Sequence, residues 1–215
     1  MPALPMRRHR YAALLALIAV LALQGCPAVI GVGGLAAMSS LEDRRSTGTQ
    51  LDDRQIESRA NDRIGSLGER AHVNVASFNR SVLLTGEVWD EATRAEVEKL
   101  VAAVPNVRSI TNEIQISGLS SLGSRANDTA LTAKVKARLL GVKDLNSQHV
   151  KVVTEAGVVY LLGLVTESEA EAATEIARTT DGVRKVIRVF EYCTTTDELC
   201  RQAAPPPDKP KPPRA

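Results

Sequence analysis

The spacing of apolar and polar positions shows a unit that occurs twice. Ile56, Ala60, Ile64 and Leu67 recur every three or four residues, which puts them on one stripe of a helix opening after the candidate cap Asp52 or Asp53. Val73 and Val75 alternate with His72 and Asn74. The turn-like Phe78-Asn79-Arg80-Ser81 follows, and Val82, Leu84, Gly86 and Val88 then share one face of a second strand, so the pair predicts a hairpin. Asp90 is placed to cap a second helix with the stripe Val97, Leu100, Val101 and Val104, and residues 107–114 predict a third strand.

The same order returns about 76 residues further on. Leu131, Val135 and Leu139 take the places of Ile56, Ala60 and Ile64. Val159-Tyr160-Leu161-Leu162-Gly163-Leu164-Val165 answers Val82-Leu83-Leu84-Thr85-Gly86-Glu87-Val88, and Val183-Arg184 answers Val107-Arg108. The fold class is therefore α+β. It consists of two tandem helix-strand-strand-helix-strand domains, each with its helices packed on one face of a small three-stranded mixed sheet. Gly86 and Gly163 hold equivalent strand positions, where glycine marks a bulge or a close backbone approach, so both are read as structural.

Residues 1–25 read as an export signal. Arg7, Arg8 and Arg10 precede an uncharged run from Ala12 to Leu23, which as a helix spans about 18 Å of the ~30 Å hydrocarbon core. Leu23-Gln24-Gly25 ahead of Cys26 is similar to the lipobox of bacterial lipoproteins, whose cysteine takes a diacylglycerol. Residues 26–50, Gly-rich and then polar with no apolar period, are read as a lipidated N-terminus and tether. Residues 51–117 are the first domain, 118–125 a Gly/Ser linker, 126–193 the second domain, and 194–215 a Cys-containing, Pro-rich tail.

Composition narrows the chemistry. The 27 basic and 25 acidic residues become 24 against 25 once the leader arginines are set aside, and the chain has one Trp, three Tyr and two Phe. That leaves neither the cationic excess nor the stacking platforms of a general nucleic-acid binder. Cys26, Cys193 and Cys200 fit no paired zinc framework, and outside the leader the histidines are His72 and His149. No nucleophile motif or phosphate-cradling glycine loop is present, so no catalytic residue, metal or cofactor is expected. Cys193 and Cys200 follow the last strand; in an oxidising compartment they close a small loop, the alternative being two free thiols. Trp89, at a strand-to-helix corner, reads as a packing residue.

The repeated V-x-L-x-G-x-V, followed by a helix and a Val-Arg strand, resembles the BON domain, named for bacterial osmotic-stress and nodulation proteins. The lipobox, the run from Asp43 to Asp53, Asn112-Glu113-Ile114, Asn127-Asp128-Thr129 and Leu161-Leu162-Gly163-Leu164-Val165-Thr166-Glu167 extend the resemblance to the dual-BON outer-membrane lipoproteins. It implies a non-catalytic protein, lipid-anchored at the outer membrane and facing the periplasm. Such a protein binds anionic phospholipid and supports envelope integrity, with concentration at division sites in some relatives. Pro27, where Asp is associated with inner-membrane retention, fits that destination. The rival reading is a lipid-anchored adaptor that docks envelope-assembly or division proteins.

In that family the lipid surface centres on the first helix of the second domain, which maps here onto residues 128–140. The candidate phospholipid contacts are Ala130, Leu131, Lys134, Val135, Arg138 and Leu139. Leu131, Val135 and Leu139 form one stripe, with Lys134 and Arg138 along its edge and Lys136 on the other side. With Arg125 and Lys143 the segment carries five bases against Asp128 and Asp144, and each base near an anionic surface contributes about 1 kcal/mol. Ala130 stands where the resemblance leads one to expect an aromatic residue, which removes an interfacial anchor. The apolar stripe fits a second reading equally well: it packs on the sheet, as Ile56, Ala60 and Ile64 are expected to in the first copy. The first domain carries more acids than bases, so lipid is not placed there.

Overall fold

A computed structural model describes residues 43–118, 121–142, 145–194, 196–197 and 200, apart from the Leu122 side chain. The leader, Cys26, most of the tether, Lys143, Asp144 and the Pro-rich tail lie outside the described residues. The first domain runs α1 (Thr47–Gly65), β1 (Ala71–Phe78), β2 (Ser81–Val88), α2 (Glu91–Ala102), β3 (Ser109–Asn112) and β4 (Gln115–Ile116). The second runs α3 (Leu122–Leu139), β5 (Val150–Glu155), β6 (Val158–Val165), α4 (Glu167–Arg178) and β7 (Lys185–Tyr192).

In each domain the hairpin strands pair antiparallel, and the strand after the second helix returns parallel to the hairpin's second strand. The orders are β1-β2-β3 and β5-β6-β7. The strand expected over residues 107–114 is broken: β3 stops at Asn112 and β4 resumes pairing with β2 at Gln115. Between them Ile114 turns into the core, its N–H held by the Asn112 side chain at 3.2 Å.

Each sheet is covered on both faces. Val82, Leu84 and Val88 of β2 pack under α1 and α2, and Val159, Leu161 and Val165 of β6 pack under α3 and α4. The alternate positions face the other domain: Ala76, Phe78 and Leu83 meet Tyr160, Leu162 and Leu164 in a shared core. The two sheets therefore stack back to back, with helices outermost.

The helix starts differ from the sequence reading. α1 is capped by Ser46, which accepts from Thr49 N at 3.1 Å, and not by Asp52 or Asp53. Residues 47–50, assigned to the tether, are thus helical, and so are 122–125 of the expected linker, behind the cap Ser121. Polar sequences of this kind have no apolar period to announce them; their order comes from capping and distant ionic partners.

Asp53 acts on the hairpin. The β1–β2 turn holds Asn79 and Arg80 at positive φ, 54° and 65°, the two-residue geometry that matches strand twist. The Asp53 carboxylate accepts from Asn79 N at 2.9 Å, Arg80 N at 2.7 Å and Ser77 Oγ at 2.6 Å. The second domain repeats the device: Asp128 accepts from Ala156 N at 2.9 Å and Gly157 N at 2.8 Å, over a turn with φ of 47° and 73°. Replacing Asp128 by Ala strands two N–H groups and is expected to lower the unfolding free energy by about 1–3 kcal/mol, measurable by urea denaturation. An unchanged midpoint would show that the turn holds itself.

Candidate functional site

The predicted lipid residues separate into two groups. Leu131, Val135 and Leu139 are 3%, 0% and 1% exposed and belong to the core, so the apolar stripe cannot meet a bilayer. Their burial follows from the repeat: α3 occupies on its sheet the place that α1 occupies on its own. Ala130, Lys134, Lys136 and Arg138 are exposed. Arg138, however, is occupied, donating to Ile176 O at 2.9 Å, Thr180 Oγ1 at 2.7 Å and Thr179 Oγ1 at 3.0 Å. It caps the α4 C-terminus, where a cation also complements the helix dipole. Arg63 does the same for α2 through Leu100 O at 3.0 Å. Lys134 and Lys136 have no hydrogen bond or ion pair among the described residues. Leu140, just past the helix, is 74% exposed.

The other predicted residues take these places. A Cβ on Gly86 would lie 2.1 Å from His72 O, and one on Gly163 would lie 2.4 Å from His149 O, so a partner-strand carbonyl fills the space in both copies. Cys193 and Cys200 are disulfide-linked; Cys193 lies against the inter-sheet core and Cys200 is buried. Trp89 departs from its expected packing role: it is exposed, its Nε1 donating to Glu69 O at 3.0 Å. Among the described residues no group of His, Cys, Asp and Glu is arranged to hold a metal.

A polar cluster that periodicity does not show joins the entering chain to both domains. Arg44 reaches the second domain: its guanidinium forks onto Glu169 at 2.6 and 3.0 Å and donates to Leu164 O at 2.9 Å. Glu169 also closes the capping box of α4, accepting from Thr166 N at 2.8 Å, and has His149 Nδ1 at 3.4 Å. Burial alone would push the Glu169 carboxyl up, but hydrogen bonds from His149, Arg44 and the Thr166 backbone, with the Arg44 charge, bring it down to about 2. Arg45 serves the first domain, donating to Asp53 Oδ2 at 2.8 Å and lying over the Phe78 ring at 3.8 Å. Thr166-x-x-Glu169 was the legible signal for half of this cluster.

More links cross between the domains. Asn74 Nδ2 donates to Glu155 Oε2 at 2.7 Å, Asn79 Nδ2 donates to Glu191 Oε2 at 2.9 Å, and Arg108 pairs with Glu191. Burial pushes Glu155 up from the ordinary carboxylate range; the Asn74 bond opposes this, and the Glu87 and Asp128 charges add to it. Burial, with the charges of Glu113 and Glu155, pushes Tyr160 up to about 12.

Beside the arginine pair a groove of about 530 Å³ opens between the domains. Arg45 and Arg54 line it from the first domain, and Lys136, Leu139, Leu140 and Lys151 from the second. Lys151 is paired with Glu57 and donates to Ser77 O at 3.2 Å.

This arrangement, two tandem α+β units fused by their sheets, defines the class. The BON domain family model matches residues 52–118 and 127–194, and the chain belongs to that family. It is similar to the outer membrane lipoprotein DolP of Haemophilus influenzae, 36% identical over 177 residues that cover 81% of this chain and 92% of that protein. A 21 kDa hemolysin of Actinobacillus pleuropneumoniae is 36% identical over 70% of this chain and 79% of its own length. The osmotically inducible protein Y of Escherichia coli is 34% identical over 53% and 58%. These relationships place the chain at the outer membrane as a lipid-anchored protein.

Proposed function

We propose that this protein is a non-catalytic lipoprotein, anchored through Cys26, that reads anionic phospholipid through α3 of its second domain. In this way it supports outer-membrane integrity, division sites included. The observation that carries the reading is local: α3 holds Lys134 and Lys136 exposed and, among the described residues, unpartnered, and ends on the exposed Leu140. A basic face beside one exposed apolar residue suits shallow binding at a headgroup layer, where each base contributes about 1 kcal/mol. Arg138 is assigned to helix capping instead, and the buried stripe to the core.

The test is flotation of the chain from Pro27 onward, which keeps the whole described fold, with phosphatidylcholine vesicles containing or lacking phosphatidylglycerol. Binding to the anionic vesicles that falls with salt is expected, together with a loss of roughly tenfold or more in Lys134→Glu/Lys136→Glu. If the folded native protein binds neither vesicle, the reading is overturned and docking of envelope-assembly or division proteins takes its place.

A further inference from the structure

We infer that the groove between the domains is the seat of the lipid phosphate, held between Arg54 of the first domain and Lys136 of the second. This deepens the phospholipid reading and rests on it. Most of the charges that line the groove are already satisfied within the fold. Arg45 is committed to Asp43 and Asp53, and Lys151 to Glu57 and the Ser77 carbonyl. The two carboxylates that line the groove are committed as well: Asp53 accepts from the hairpin turn and Arg45, and Glu57 from Lys151 and from Ser77 N at 2.7 Å. Arg54 and Lys136 remain. Both are exposed, both line the same groove from opposite domains, and among the described residues neither has a hydrogen bond or ion pair.

The surroundings say what kind of anion fits. Leu140, which lines the groove, has the largest exposure of any large apolar side chain among the described residues, and Leu51, 53% exposed, precedes Arg54 by three positions and so lies beside it on α1. Cations flanked by outward-facing leucines suit an amphiphile, whose phosphate lies among the cations and whose chains meet the leucines. The volume of about 530 Å³ is in the range of small-molecule sites and has room for a phosphate with its glycerol. The chain also enters the fold at this groove, through Arg45, so an anchored molecule keeps this side tethered to the membrane. The first domain thus supplies a lipid ligand despite its acidic balance.

Arg54→Glu and Lys136→Glu, compared with Lys134→Glu, provide the test in the same flotation assay; chemical shifts are followed for dihexanoyl phosphatidylglycerol below its micelle concentration and for inorganic phosphate. The expected result is a loss of roughly tenfold or more in vesicle affinity for Arg54→Glu as for Lys136→Glu, recovery in Arg54→Lys, and saturable shifts along the groove with the soluble lipid. Circular dichroism confirms folding; both side chains are exposed, so the variants should retain it. Loss in Lys134→Glu with native binding in Arg54→Glu overturns the groove and leaves the helix reading standing. Failure of the native protein to float removes both. Shifts with inorganic phosphate but none with the soluble lipid would make the groove a free-anion site and overturn the proposal.

Discussion

Arg44→Ala is expected to cost about 3–5 kcal/mol of unfolding free energy at neutral pH, the largest single effect anticipated outside the core, because it strands a buried charge. Arg44 and Glu169 side chains are 6% and 9% exposed, so solvent cannot replace the lost partner. Glu169→Gln should cost a comparable amount, and the double variant less than the sum of the two, since each removes the same bidentate pair. Acid separates this ion pair from a merely steric contact. The Glu169 carboxyl lies at about 2 in the folded chain against an ordinary 4.5. Its folded value is depressed, so its contribution, about 3 kcal/mol, is fully present above the ordinary value and is lost as pH falls from there toward 2. Urea midpoints from pH 7 down to 2.5 should show a steep acid limb in the native protein and a flattened one in Arg44→Ala. Equal midpoints and equal limbs would mean that Arg44 does not hold the fold.

Gly86→Ala should be nearly as damaging, at about 2–5 kcal/mol. Two costs act together: a φ of 112°, which side chains rarely adopt, and a Cβ only 2.1 Å from the carbonyl of His72 on the paired strand. Because that carbonyl belongs to the β1–β2 ladder, relief requires the strands to part. Gly163→Ala meets His149 O in the same way but lacks the positive φ, so it bears only the second cost and should fall at the lower end of that range. Thermal unfolding of the two variants checks this; a melting temperature within a degree or two of native for either would show that the ladder yields cheaply at that site.

Much of this architecture can be read from residue order. The twofold unit, the hairpins and the equivalent glycines all follow from periods of two and three to four, which backbone geometry imposes on any buried face. What covers a face is another matter. Leu131, Val135 and Leu139 give the same pattern whether a sheet or a bilayer lies against them, and the repeat with Ile56, Ala60 and Ile64 was the better guide to the sheet. The second apolar face of each sheet left a sign in the unbroken runs Val82-Leu83-Leu84 and Val159-Tyr160-Leu161-Leu162, since strands buried on both faces do not alternate. Arg44, Arg45 and Asp53 left no periodic sign: the Asp43–Asp53 run counted toward the family resemblance, but nothing in it says what these side chains touch. Their order comes from partners as far as 125 residues away, and a charged string looks the same in sequence whether those partners exist or not.

Arg44 and Arg45 are adjacent in the chain, yet one grips the second domain and the other the first. A load applied to the chain ahead of residue 43 would therefore meet two charge-assisted grips in succession, first on the second domain and then on the first, before it reached the first turn of α1. In mechanical terms the pair is placed as a strain relief at the point where the chain joins the fold.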